Sequence, residues 1–202
     1  MENIKNVIAV FGGSFNPPLN SHFSLGQQIV NEYENVDKVV YVPVSTSYEK
    51  PGLISNEHRY NMLKLVCDKN PDFEVSDIEL IQDRQLYTLE TLEILAQKYP
   101  GKTICFTIGT DNLRELKTWT LVEDLVKKFK ILVLERDEDN MDEIIESDEF
   151  LRQNKDCFIK LKENIRSNIS STFAREKLKR GKSIRYLTPD EVYHYINENN
   201  LY

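Results

Sequence analysis

Short apolar runs rich in β-prone residues recur along the chain, each the length of one buried strand. Val7-Ile8-Ala9-Val10-Phe11 stops at Gly12-Gly13, and Val39–Val42, Thr103–Ile108 and Ile131–Leu134 repeat the type. Weaker runs lie at Phe73–Val75 and Phe158–Leu161. Continuous rather than alternating hydrophobicity suits strands covered on both faces, as in a parallel sheet under helices. Between the runs, Leu25 and Ile29, then Met62, Leu63 and Val66, then Leu89, Leu92 and Leu95 follow the spacing of a helix's buried stripe. This alternation predicts an α/β fold, a doubly wound parallel sheet with flanking helices. Without an internal repeat or a low-complexity linker, residues 1–202 read as a single domain. Only the stretch at about 137–149 shifts in composition; its crowded acidic residues predict a solvated surface segment.

Charge narrows the function classes. Lys and Arg total 26 against 33 Asp and Glu, a net charge of −7, whereas a nucleic-acid face needs a basic stripe. Small anions remain available as ligands, because helix N-termini can bind them locally. The three cysteines, Cys67, Cys105 and Cys157, show neither Cys-x-x-Cys nor zinc spacing and are expected to be free or buried thiols. No apolar run approaches the ~20 residues of a membrane-spanning helix, and Met1–Val10 lacks the form of a signal peptide. The expectation is a cytoplasmic protein that meets neither nucleic acid nor membrane.

The segment Phe11-Gly12-Gly13-Ser14-Phe15-Asn16-Pro17-Pro18-Leu19-Asn20-Ser21-His22 joins the first strand to a helix. Glycines at a strand's end allow a close backbone approach to phosphate, and the next helix offers free N–H groups at its positive end. Asn20 or Ser21 is the expected N-cap. His22 then falls in the first turn, as a ligand to an anion or as a solvated helix-start histidine. Neither Gly-x-Gly-x-x-Gly nor Gly-x-x-x-x-Gly-Lys-Ser/Thr is present, so the two best-known phosphate loops are excluded. Ile169-Ser170-Ser171-Thr172-Phe173-Ala174-Arg175 reads as a second helix N-terminus. There, hydroxyl side chains cap the helix or meet phosphate, and Arg175 lies one turn along. Read alone, it is equally a capped surface helix with a solvated arginine.

Together these segments resemble the two signatures of the nucleotidyltransferase superfamily, the Rossmann-like adenylyl- and cytidylyltransferases. Gly13 to His22 matches Gly-x-Phe-Asp/Asn-Pro-x-His/Thr-x-x-His except at Leu19, where bacterial members usually carry histidine. Ile169 to Arg175 matches Ile-Ser-Ser-Thr-x-x-Arg throughout. The likeness narrows toward bacterial nicotinate-nucleotide adenylyltransferases. It rests there on His58-Arg59-Tyr60-Asn61-Met62-Leu63, on Tyr87-Thr88-Leu89-Glu90-Thr91-Leu92, on Ile108-Gly109-Thr110-Asp111 followed by Trp119, and on the ending from Tyr186 to Tyr202.

The resemblance implies ATP and a pyridine mononucleotide as substrates, Mg2+ held mainly by ATP phosphates rather than by the protein, and possible homo-oligomers. It implies His22 and Arg175 as the catalytic pair. ATP would meet Gly12, Gly13, Ser14, Phe15, Asn16, Leu19, Ile169, Ser170, Ser171, Thr172 and Arg175. The acceptor would meet Lys50, Tyr87, Thr88, Asp111, Trp119 and Arg136. In residue terms alone, Trp119 is a stacking platform for a pyridinium or a core side chain, and Asp111 a nucleotide ligand or a helix cap. Ser47-Tyr48-Glu49-Lys50 keeps only its lysine of the family's usual Pro-Pro-His-Lys/Arg.

Leu19 cannot donate a hydrogen bond. Set by Pro17 and Pro18, position 19 is expected to face the phosphates, so that Leu19→His would restore a donor. If Leu19 instead packs into an apolar lid, the same change would bury an unpaired imidazole. Two other readings stay open here: an adenylyltransferase with nicotinamide mononucleotide or phosphopantetheine as acceptor, and a degenerate, non-catalytic nucleotide binder.

Overall fold

The computed structural model describes residues 6–33, 35–47, 52–161 and 169–202. All six apolar runs form strands: β1 (Val7–Gly13), β2 (Val36–Pro43), β3 (Phe73–Val75), β4 (Thr103–Gly109), β5 (Lys130–Leu134) and β6 (Phe158–Lys160). They pair in the order β3-β2-β1-β4-β5-β6, and every neighbouring pair is parallel. The chain builds outward from β1 to β3, returns to the middle, and builds outward again from β4 to β6. Strand order therefore reverses between β1 and β4, where Val10 pairs with Val40 on one side and Phe106 on the other.

Nine helices are described: α1 (Asn20–Glu32), α2 (Asn56–Cys67), α3 (Thr88–Lys98), α4 (Thr110–Glu115), α5 (Val122–Lys128), α6 (Met141–Ser147), α7 (Glu149–Gln153), α8 (Ser171–Lys179) and α9 (Asp190–Glu198). Alternate residues of each central strand point to opposite faces. Ile8, Val10, Ile104, Phe106, Ile131 and Val133 meet Leu92 and Leu95 of α3 and Leu125 of α5 on one face. Val7, Ala9, Phe11, Cys105 and Leu132 meet Phe23 and Ile29 of α1 and Leu63 of α2 on the other. A strand apolar at every position is thus buried twice, as its sequence required.

A third, smaller cluster gathers Leu19, Met62, Ala174, Ile184, Val192 and Ile196 beside the end of β1. Burial of its larger side chains contributes about 1.5–3 kcal/mol each. It holds α2, α8 and α9 against the start of α1.

The acidic stretch is more than a solvated surface. Asn140 and Asp148 cap α6 and α7 by accepting from backbone N–H groups one turn on. Asp142, Glu143 and Glu146 face solvent, while Met141, Ile144, Ile145 and Leu151 are buried in the first core. The helical spacing of Met141, Ile144 and Ile145 in α6 is a buried stripe that the surrounding charge concealed. All three cysteines are free and buried, and burial pushes each thiol up to about 12, so none is a reactive thiolate near neutral pH.

Candidate active site

The strand order reverses at the C-terminal ends of β1 and β4, the place where open α/β sheets hold ligands. The loop from Ser14 to Leu19 leaves β1 there. Its glycines make room for aromatic rings: a Cβ on Gly12 would lie 3.1 Å from the Phe106 ring, and one on Gly13 3.1 Å from Phe15. Phe15 is buried, with φ +44°, and its ring meets that of His22 edge-on at 5.1 Å. Only the backbone of Phe15 is therefore open to a ligand.

The loop's carbonyls are tied down one after another. Ser14 O accepts from Arg59 NH1 (3.1 Å), Asn16 O from Arg175 NH1 (2.8 Å), Pro17 O from Ser171 Oγ (2.8 Å) and Pro18 O from Thr188 Oγ1 (2.7 Å). The N–H groups of Phe15 and Asn16 have no partner among the described residues. The Asn16 side chain is itself engaged: it donates to Gly52 O (2.8 Å) and accepts from the Tyr202 hydroxyl (2.8 Å). That leaves Asn16 holding the loop in place with its side chain.

Helix α1 begins without the expected side-chain cap. Leu19, not Asn20 or Ser21, is the N-cap, and its N–H donates to His22 Nδ1 at 2.9 Å. Asn20 instead donates its Nδ2 to Tyr186 O (3.1 Å) and its backbone N–H to Leu187 O (2.9 Å). The His22 ring is thereby turned back on the helix start in one tautomer: Nδ1 accepts, so the neutral ring carries its proton on Nε2. Burial, and secondarily the Arg136 guanidinium, lower the His22 pKa from 6.5 to about 4. At neutral pH the site thus holds an uncharged Nε2–H donor.

Between about pH 6.5 and 4 the unfolded chain protonates His22 while the folded chain does not. Stability present above pH 6.5 is therefore lost as pH falls toward 4, by at most ~3 kcal/mol. His22→Gln should shrink the difference in urea midpoint between pH 7 and pH 4.5; an unchanged difference would show that His22 does not titrate low.

Leu19 does not face the phosphates, contrary to expectation. Its side chain is 1% exposed and packs with Met62, Ala174, Ile184, Val192 and Ile196, so it cannot reach ATP. The prolines direct it into the third cluster rather than toward the phosphates. Only its backbone serves the site, by fixing His22.

The second signature lies across the same loop. Ser170 caps α8 by accepting from Phe173 N–H (3.2 Å), and Thr172 Oγ1 accepts from Arg175 NH2 (3.1 Å). Neither hydroxyl donates to a partner among the described residues, so each could donate to an anion, whereas Ser171 has given its hydrogen to Pro17 O. Ile169 is exposed just before the cap. Arg175 stands between the two signatures. Thr188 and Tyr202 complete the clamp; Tyr202 belongs to the ending that carries the family likeness, but nothing in the local sequence of either residue marks contacts 170 and 186 residues away.

The acceptor candidates are grouped less tightly. Asp111 opens α4, and its Oδ1 lies 3.4 Å from Arg136 Nε beyond β5. Gly109 makes that pairing possible, because a Cβ there would sit 2.3 Å from Asp111 Oδ1 and 2.7 Å from Arg136 Nε. Trp119 is partly buried and meets Phe106 edge-on at 6.3 Å, which sets it one ring away from Gly12. Tyr87 and Thr88 stand at the N-terminus of α3, where Tyr87 N–H donates to Glu90 Oε2 (2.8 Å). They touch none of the other candidates through a described hydrogen bond or ring contact. Lys50 lies outside the described residues.

Comparison with known proteins identifies the family and agrees with the fold. The family model described as cytidylyltransferase-like matches residues 10–177. A probable nicotinate-nucleotide adenylyltransferase of Caldicellulosiruptor saccharolyticus is 35% identical over 196 residues, covering 96% of this chain and 98% of the relative. One of Carboxydothermus hydrogenoformans is 34% identical over 196 residues, covering 96% and 97%. Among solved structures, the Plasmodium falciparum nicotinic acid mononucleotide adenylyltransferase complexed with NaAD has a similar fold. It superposes with a TM-score of 0.78 at 21% identity, covering 97% of each chain. With both signatures meeting at the strand-order reversal and these relatives matching end to end, the chain belongs to the nicotinate-nucleotide adenylyltransferase family of cytidylyltransferase-like nucleotidyltransferases.

Proposed function

We propose that this enzyme transfers AMP from ATP to nicotinate mononucleotide and releases pyrophosphate, a step of NAD biosynthesis in the cytoplasm. The observation that carries the proposal is the bond between the signatures, Arg175 NH1 to Asn16 O at 2.8 Å. It sets a cation, the starts of α1 and α8 and the His22 donor around one loop.

An oxygen of the acceptor phosphate attacks the α-phosphorus of ATP, and the bond to the bridging oxygen of pyrophosphate breaks. The attacking oxygen already carries charge, so no protein nucleophile is needed; catalysis is positioning and charge stabilisation. His22 Nε2–H and the remaining N–H groups of Arg175 donate to phosphoryl oxygens as charge moves onto the leaving group. Among the described residues no group of three His, Cys, Asp or Glu is arranged to hold a metal. Mg2+ would enter with ATP as part of the substrate, held mainly by its phosphates, and would neutralise their charge.

Trp119 stacks on the pyridinium ring, a favourable pairing of cation and aromatic face. The N–H groups at the start of α3, near Tyr87 and Thr88, receive the acceptor's carboxylate. The non-catalytic reading loses its motive, since Leu19 marks an apolar seat and not an eroded donor position.

The test uses the protein's single tryptophan. Adding nicotinate mononucleotide in the presence of a non-hydrolysable ATP analogue should quench Trp119 fluorescence saturably, with nicotinamide mononucleotide weaker and phosphopantetheine without effect. Quenching by phosphopantetheine alone would reassign the acceptor.

A further inference from the structure

Arg59 is the largest fully buried side chain in the structure, and among the described residues no carboxylate lies within ion-pair distance of it. Burial lowers its pKa even though Glu79 attracts it from beyond ion-pair distance, so what the guanidinium holds matters. Its three hydrogen bonds run to Ser14 O (3.1 Å), Ile54 O (3.2 Å) and Asn56 Oδ1 (2.6 Å). The same Asn56 oxygen accepts from Thr46 N–H at 2.8 Å. One planar fork therefore joins the loop after β1 to the segment between β2 and α2. Asn16 spans the same two segments through Gly52 O and Ile54 N–H.

The Ser14 carbonyl belongs to the same peptide unit as the Phe15 N–H. That N–H has no partner among the described residues, and Phe15 sits in the left-handed region at φ +44°. A carbonyl held by a cation fixes the plane of its peptide and polarises the N–H on the other side, making it a stronger donor. We infer that Arg59 is a positioning residue for ATP: from behind the loop it orients and polarises the Ser14–Phe15 peptide toward the phosphates. It touches neither substrate. The inference rests on the adenylyltransferase reading, since it requires a polyphosphate at this loop.

The test separates phosphate recognition from general packing. ATP and adenosine are titrated calorimetrically into the native protein, Arg59→Met and Arg59→Lys, and thermal melts confirm folding of each. The native protein should prefer ATP over adenosine. Arg59→Met should reduce that preference about tenfold while adenosine affinity stays level, because one phosphate donor is misaligned. Arg59→Lys keeps the charge but not the fork, and should fall between. A merely structural role would weaken both ligands alike. An unchanged preference in Arg59→Met overturns the inference; if that variant does not fold, an unchanged preference in Arg59→Lys does so. A native protein that binds ATP no better than adenosine would instead overturn the underlying reading, and the inference with it.

Discussion

Replacing His22 with alanine is expected to lower kcat by about 10²–10³-fold, the usual consequence of removing one transition-state donor. The side chain also accepts from Leu19 N–H at 2.9 Å. Losing that closure of α1 should cost about 0.5–2 kcal/mol, a fall in Tm of a few degrees rather than loss of the fold. The two effects separate cleanly, because a cap loss of that size leaves nearly all molecules folded at assay temperature. Binding of ATP should weaken much less than turnover. A variant retaining more than about a tenth of native kcat would remove His22 from the chemistry.

Leu19→His is expected to lower stability and turnover together. Sequence comparison alone invites the opposite result, since it restores the family's first histidine. The structure supplies the reason: the leucine is 1% exposed among Met62, Ala174, Ile184, Val192 and Ile196. An imidazole in that seat gives up apolar packing and buries a polar ring without a partner, together about 3 kcal/mol. Tm should drop about 6–12 °C. The displaced Leu19 backbone no longer orients His22, so kcat falls as well. Leu19→Met, close in volume, should keep both quantities near native. A stable Leu19→His variant with raised kcat would contradict this placement.

The sheet was legible because each strand carries its own signal. A run such as Val7–Phe11, apolar at every position and stopped by glycines, has few alternatives to a doubly covered strand. The site was half legible. The signatures marked the loop and α8, but they did not show how its carbonyls are held. Those bonds join Ser14 to Arg59, Asn16 to Arg175 and Tyr202, and Pro18 to Thr188, across sequence separations that no local pattern encodes. Leu19 was misplaced for the same reason: its neighbours come from α2, α8 and α9 and the turn at Ile184, and only the fold assembles them. His22 illustrates a third kind of limit. Its position in the first turn was readable, but its tautomer depends on a backbone N–H three residues back, with no side-chain signature. Within the acidic stretch, the apolar stripe of α6 was present in the sequence and simply outnumbered by charge.

In the proposed reaction the adenylyl group passes directly from ATP to nicotinate mononucleotide on a protein that supplies donors but no nucleophile. The most direct measurement follows the label of α-phosphate-labelled ATP, incubated with the protein, Mg2+ and nicotinate mononucleotide. Label is expected in the dinucleotide product, with one pyrophosphate released per dinucleotide formed and no label bound to protein after denaturation. Label remaining wholly in ATP, or appearing covalently on the protein, would contradict direct transfer.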